Sequence, residues 1–242
     1  MTAKTSDSPS VGGPKPALEF LRTTPFFEGI AAPEIGRIAE SAVHKRVPRG
    51  GFIFHQGEPA HSAYLITSGL VRLVQSTPAG RNILLRFFFP GDLIGGIAAV
   101  RNRVLPASAI AERPTETLSW DRDAMTRLMR AHPRLFQNTL RILEERFHEL
   151  QDRYLDLATE RVEQRLARSL VRLQNQAGEA RPDGIAIGIP LSREHLAEMT
   201  GTTLYSVSRV LATWERKGLV RVGRLRVTIT NPASLAALSE SP

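Results

Sequence analysis

Residues 191 to 220, LSREHLAEMTGTTLYSVSRVLATWERKGLV, bring short hydroxyls, a tyrosine and an arginine together at helical spacing. Val207, Val210, Leu211 and Trp214 form the apolar side of a helix, which leaves Tyr205, Ser206, Ser208 and Arg209 facing outward near its start. A planar guanidinium such as that of Arg209 can donate a parallel pair of hydrogen bonds to guanine O6 and N7. Ser192, Arg193, Thr202 and Thr203 stand at helix starts, where hydroxyls and free backbone N–H groups grip phosphate. Downstream, Leu219 to Ile229 reads as two strands around Gly223 that carry Arg221, Arg224 and Arg226, either as a phosphate-gripping wing or as a solvated hairpin face. The chemistry these residue types support is recognition of duplex DNA, with no catalytic residue among them.

Such side chains work only if helices hold them. Ser192 can N-cap a first helix, with Leu191 and Leu196 as a hydrophobic staple, and that helix ends at Thr200-Gly201. Thr203 caps the second, which stops at Gly218. Ala197, Gly201 and Val207 occupy the small, turn and apolar positions of a helix-turn-helix. Upstream, Val162, Leu166, Leu170 and Leu173 mark an amphipathic helix from about Thr159 to Gly178, followed by a loop from Glu179 to Gly184 and a short apolar segment, Ile185 to Ile189. Before it, Phe136, Leu140, Leu143, Phe147, Leu150, Tyr154 and Leu157 are spaced 4, 3, 4, 3, 4 and 3 apart, the seam of a coiled coil. Its charged flanks favour a parallel homodimer through these seven residues; the alternative is a helix packed on its own domain.

From Leu18 to Trp120 turn chemistry recurs every 11 or 12 residues, at Gly57-Glu58-Pro59, Thr67-Ser68-Gly69, Pro78-Ala79-Gly80 and Pro90-Gly91-Asp92. Phe52 to His55, Ala63 to Thr67, Leu70 to Gln75 and Ile83 to Phe89 lie between them as expected strands of an all-β roll, after a helix around Pro33 to Val43. Residues 1–17, rich in Ser, Gly, Pro and Lys, are expected to be a flexible tail. The chain has no cysteine, which rules out an all-cysteine iron-sulfur cluster, disulfides and thiolate catalysis. With 32 Lys and Arg against 24 Asp and Glu, its net charge of +8 fits a polyanionic partner. No apolar run is long enough to span a bilayer, so a cytoplasmic protein without membrane partners is expected.

Four motifs in order, Phe52-Ile-Phe-His-Gln-Gly-Glu58, Tyr64-Leu-Ile-Thr-Ser-Gly-Leu-Val-Arg72, Phe89-Pro-Gly-Asp-Leu-Ile-Gly95 and Thr202-Thr-Leu-Tyr-Ser-Val-Ser-Arg209, make residues 20 to 238 resemble the Crp/Fnr family of bacterial transcription regulators. The resemblance implies an α+β chain: an N-terminal double-stranded β-helix (jelly roll) resembling a cyclic-nucleotide-binding domain (18–126), a dimerisation helix (127–158) and a C-terminal winged helix-turn-helix domain (159–242). It further implies a homodimer on palindromic double-stranded DNA, with RNA polymerase as another partner and Arg209 as the guanine reader. Ser208 resembles the serine of the Fnr-like branch. Tyr205 stands where the family usually has glutamate, which leaves the base it reads open.

The effector is less legible. Members that bind cyclic AMP hold it with a Gly-Glu pair and, about ten residues on, an Arg-Ser or Arg-Thr, whereas this chain has Gly95-Gly96 and Leu105-Pro106-Ala107-Ser108. A buried cyclic phosphate without a guanidinium is an uncompensated charge, which argues against cyclic AMP. The remaining expectations are another small ligand lined by Gly95, Gly96 and Ser108; haem held by His44, His55 or His61, as in gas-sensing members that respond to nitric oxide or carbon monoxide; or no effector. Two further readings compete. One is a docking module that does not bind DNA. The other is a metal-dependent oxygenase using His55, Glu58 and His61, which the turn role of Glu58 disfavours, so no enzyme activity is expected.

Overall fold

A computed structural model describes residues 10–11, 17–96, 99 and 103–240. They form two compact units, residues up to Ala79 with Leu85–Phe147, and Gly80–Leu84 with the residues from His148 on.

In the first part of the chain, β1 (Ser10–Val11), α1 (Leu18–Arg22) and α2 (Ala32–Glu40) precede β2 (Val43–Val47), β3 (Phe52–Phe54), β4 (Ser62–Ser76), β5 (Asn82–Phe88, whose first three residues group with the second unit), β6 (Leu93–Ile94) and β7 (Ser108–Asp121). The described strands form one sheet in the order β1-β2-β7-β4-β5, with β3 on β7 and β6 on β4. Of the expected flexible tail, Ser10 and Val11 pair with Arg46 and Lys45, while 1–9 and 12–16 lie outside the described residues.

Thr67-Ser68-Gly69 corrects the strand reading. It is no turn: β4 runs through it, antiparallel to β7 from Ser62↔Asp121 to Val74↔Ser108, with register shifts between Ile66 and Val71. Gly69 has φ 95°, and a Cβ there would lie 2.5 Å from Pro114 O, so glycine permits a bulge where the strands meet most closely.

One core gathers Phe26, Phe27, Ile35, Leu65, Leu118 and Trp120. Trp120 Nε1 donates to Ile38 O at 3.1 Å, so the indole is buried without an orphaned donor. A second cluster, with Phe54, Tyr64, Ile66, Val71, Phe88, Ile94 and Leu105, fills the roll. Burial there pushes the Tyr64 phenol above its ordinary pKa.

α3 (Arg122–Ala131) is capped by Asp121, whose carboxylate accepts from Ala124 N at 2.7 Å. The expected helical region from 127 breaks at His132, and α4 (Pro133–Thr159) begins with proline, whose missing N–H costs nothing at a helix start. In its first half α4 buries Leu135, Asn138, Thr139 and Ile142. Asn138 Nδ2 donates to Phe26 O at 2.9 Å and to Glu28 O at 2.8 Å, which fixes that face inward.

The second unit continues with α5 (Val162–Ala177), β8 (Gly178–Arg181), β9 (Gly184–Ile187), α6 (Arg193–Thr200), α7 (Leu204–Arg216), β10 (Val220–Gly223), β11 (Arg226–Ile229) and α8 (Pro232–Glu240). The expected loop from Glu179 is instead largely strand. β8 and β9 make a hairpin, and β9 pairs with β11, giving the order β10-β11-β9-β8. No described helix is long and apolar enough to cross a membrane.

Candidate nucleic-acid interface

The first helix of the pair, α6, starts at Ser192, whose hydroxyl accepts from His195 N at 2.9 Å. It ends at Gly201 in the left-handed conformation, φ 61° and ψ 37°. Thr203 then caps α7 by accepting from Ser206 N at 3.2 Å, and its hydroxyl also bonds Ser206 Oγ at 3.1 Å. Gly218, with φ 69°, closes the helix as Leu219 N donates to Trp214 O at 2.9 Å. These local rules set where α7 begins and stops.

Val207, Leu211 and Trp214 bury one face of α7, and Trp214 Nε1 donates to Glu163 Oε1 at 2.7 Å, docking it on α5. The opposite face is open: Tyr205 is 76% exposed, Arg209 is exposed, and Ser206 and Ser208 are half-buried. Among the described residues the Arg209 guanidinium has no hydrogen-bond or ion-pair partner, so all its donors remain available to a ligand. Arg193 is exposed at the first position of α6, and Thr202 and Thr203 lie in the turn. The hydroxyls of Ser192, Thr203 and Ser206 already serve capping bonds and retain only part of their capacity.

In the wing, Arg224 and Arg226 are exposed and unpartnered among the described residues, whereas Arg221 is paired with Asp183. The turn lies at Arg224-Leu225, one step past the expected Gly223, and Leu225 takes φ 54°. Leu204, to which the sequence pattern assigns no role, is 55% exposed at the first position of α7. Its place between the Thr203 cap and Val207, the first inward position of the helix, turns it outward.

The seven seam residues, Phe136, Leu140, Leu143, Phe147, Leu150, Tyr154 and Leu157, are all exposed on the single chain, and so is Leu155. Phe136, Leu140, Leu143 and Phe147, the part of the stripe that lies in the first unit, are therefore not packed against their own β domain.

The candidate effector residues are less open. Gly95 has φ 73°, and a Cβ there would lie 2.9 Å from Ser62 O; at Gly96 it would lie 3.2 Å from Leu93 Cδ2. Ser108 Oγ accepts from Gln56 N at 2.9 Å, and Leu105 and Ala107 are buried. Of the histidines, His44 lies on β2, His55 stacks on Phe52 with ring centroids 4.0 Å apart, and His61 precedes β4. Glu58 accepts from His55 N at 3.1 Å within its own turn. No group of three His, Cys, Asp or Glu suited to a metal occurs among the described residues.

Residues 44–132 match the cyclic nucleotide-binding domain family and residues 164–238 the Crp-like helix-turn-helix domain. The chain is 30% identical over 220 residues to the cyclic AMP receptor protein of Thermus thermophilus, covering 90% of this chain and 98% of that protein. It is 27% identical over 218 residues to the CRP-like cAMP-activated global transcriptional regulator of Mycobacterium tuberculosis, covering 90% and 97%. Among solved structures, a CRP-family transcriptional regulator from Thermus thermophilus superposes with a TM-score of 0.69 at 29% identity, over 81% of this chain and 97% of that one.

Proposed function

The chain belongs to the Crp/Fnr family of transcription regulators, and we propose that it acts as a cytoplasmic homodimer that binds two-fold symmetric duplex DNA through α7. The observation that carries this reading is the open face of α7, with Arg209 unpartnered beside exposed Tyr205 and Leu204. Arg209 donates to a guanine in the major groove, and Leu204 lies against a thymine methyl. Tyr205 meets a neighbouring base through its phenol. Ser192, Arg193, Thr202, Thr203, Arg224 and Arg226 contact phosphates and set the register, while Ser206 and Ser208 complete the groove-facing surface. The exposed stripe of α4 pairs with its copy in a second chain, which places two α7 helices one turn of DNA apart, about 34 to 36 Å. RNA polymerase is the further partner.

The roll supplies regulation through an effector other than cyclic AMP. Leu105-Pro106-Ala107-Ser108 brings no guanidinium, Gly96 brings no carboxylate, and the roll's inner cluster is apolar. A cyclic phosphate would be buried there without compensation. Haem is not favoured either, since His44, His55 and His61 are held in three separate local settings.

The test is binding of purified protein to duplexes that differ at single base pairs. Arg209→Ala is expected to erase preference at one guanine per half-site, about 1 to 3 kcal/mol of discrimination. Arg224→Ala is expected to weaken all sequences alike and lower the salt slope by about 1. Uniform loss from both substitutions would contradict the assignment.

A further inference from the structure

The last turns of α4, whose outer face carries Leu150, Tyr154 and Leu157, use their other residues to hold the helix-turn-helix. Asp156 is 4% exposed, a buried carboxylate. It is held between Arg168 Nη1 and Arg172 Nη1, the second at 3.1 Å, both from α5. Arg168 Nη2 also meets Glu160 Oε1 at 3.2 Å, and its Nε donates to Ser239 O at 2.6 Å in α8. An apolar pair could fill the same space at less desolvation cost. What charge-assisted bonds add is direction, since a carboxylate shared by two guanidiniums admits few rotations of α5 against α4.

A second set of bonds joins this junction to the DNA-facing helices. Arg153 Nη2, from α4, donates to Met199 O at 3.2 Å, and Arg165 Nε, from α5, donates to Thr200 O at 3.0 Å. Met199 and Thr200 are the last residues of α6, where carbonyls lack intrahelical partners and the helix dipole is negative, so guanidiniums are suited to cap them. Arg165 Nη1 also donates to Glu160 O at 2.7 Å, and Arg153 Nη2 to Leu84 O at 3.3 Å, in the segment Gly80–Leu84 of the same unit. Beyond them, Leu157 Cδ2 lies 3.0 Å from where a Cβ on Gly201 would stand, directly against the turn that launches α7.

We infer that Arg153, Asp156, Arg165 and Arg168 are positioning residues that lock α7 to the dimer seam and so fix the distance between DNA half-sites. None of them touches a base. They act by allowing one orientation of the helix-turn-helix on α4. This rests on the dimeric, DNA-binding reading above, and its signature is spacing selectivity, which loss of stability alone would not change.

The test measures binding of the full-length protein, Arg153→Gln and Asp156→Asn to duplexes with identical half-sites whose spacer is native, one base pair shorter or one longer. One base pair moves a half-site by about 3.4 Å and rotates it by about 35°. The unsubstituted protein is expected to lose about tenfold or more at either altered spacer, and the variants about threefold or less, with unchanged base preference within each half-site. Arg153→Gln carries the test if Asp156→Asn fails to fold. Equal loss at every spacer, or an unchanged spacing profile in the folded variants, would overturn the inference. If the unsubstituted protein shows no spacing dependence, the dimeric reading itself fails.

Discussion

Single residues divide here into those that shape the chain and those left over to read a ligand. Ser192, Thr203, Gly201 and Gly218 were legible because capping and left-handed turns are local matters of a few bonds. Gly201→Ala is expected to cost about 1 to 2 kcal/mol, read as a lowered denaturation midpoint, because a Cβ is strained at φ 61°. It would also press on Leu157. Leu204 was missed because residue type alone marks leucine as core, and only its place between the cap and Val207 turns it outward. Replacing the thymine it faces by deoxyuracil is expected to weaken binding about fourfold, the worth of roughly one buried methyl, and Leu204→Ala should abolish that difference. Equal sensitivity to the methyl with and without Leu204 would remove it from the readout. Asp156 was illegible for another reason: its partners lie 12 and 16 residues away across a helix break, and nothing in a charged side chain's type announces burial.

Elements were legible to the extent that their pattern was periodic. The 4-3 spacing along α4 survives as an exposed stripe, while the opposing face, through Asn138 and Ile142, is spent on the chain's own core. Leu150→Glu should therefore leave the fold intact and yield a monomer in sedimentation experiments, because two carboxylates would be forced together in an apolar seam. DNA affinity should fall by about a hundredfold or more as two linked half-site contacts become one. A variant that remains dimeric would show that the stripe is not the interface. Strands were harder to delimit. Thr67-Ser68-Gly69 has turn composition, yet a bulge wants the same glycine, and only pairing with β7 separates the two. β8 falls in the expected loop because Glu179, Ala180 and Arg181 show no apolar alternation; pairing with β9, itself held by the distant β11, makes it a strand.

At the scale of the whole molecule, family membership and the two domains follow from motifs spread along most of the chain, but the signal that operates the roll does not. Leu105-Pro106-Ala107-Ser108 supplies no guanidinium that could neutralise a buried phosphate, and the Ser108 hydroxyl already accepts from Gln56 N. Calorimetric titration with cyclic AMP is accordingly expected to show no binding tighter than about 100 μM, and a clear heat at lower concentration would revise the account of the roll. Dimeric recognition of two-fold symmetric DNA through α7 is tested by in vitro selection of random duplexes with the purified protein. The selected duplexes are expected to be palindromes whose half-sites each carry a guanine that becomes indifferent when Arg209 is replaced by alanine. Absence of DNA binding even at low salt, or enrichment of a site without two-fold symmetry, would contradict it.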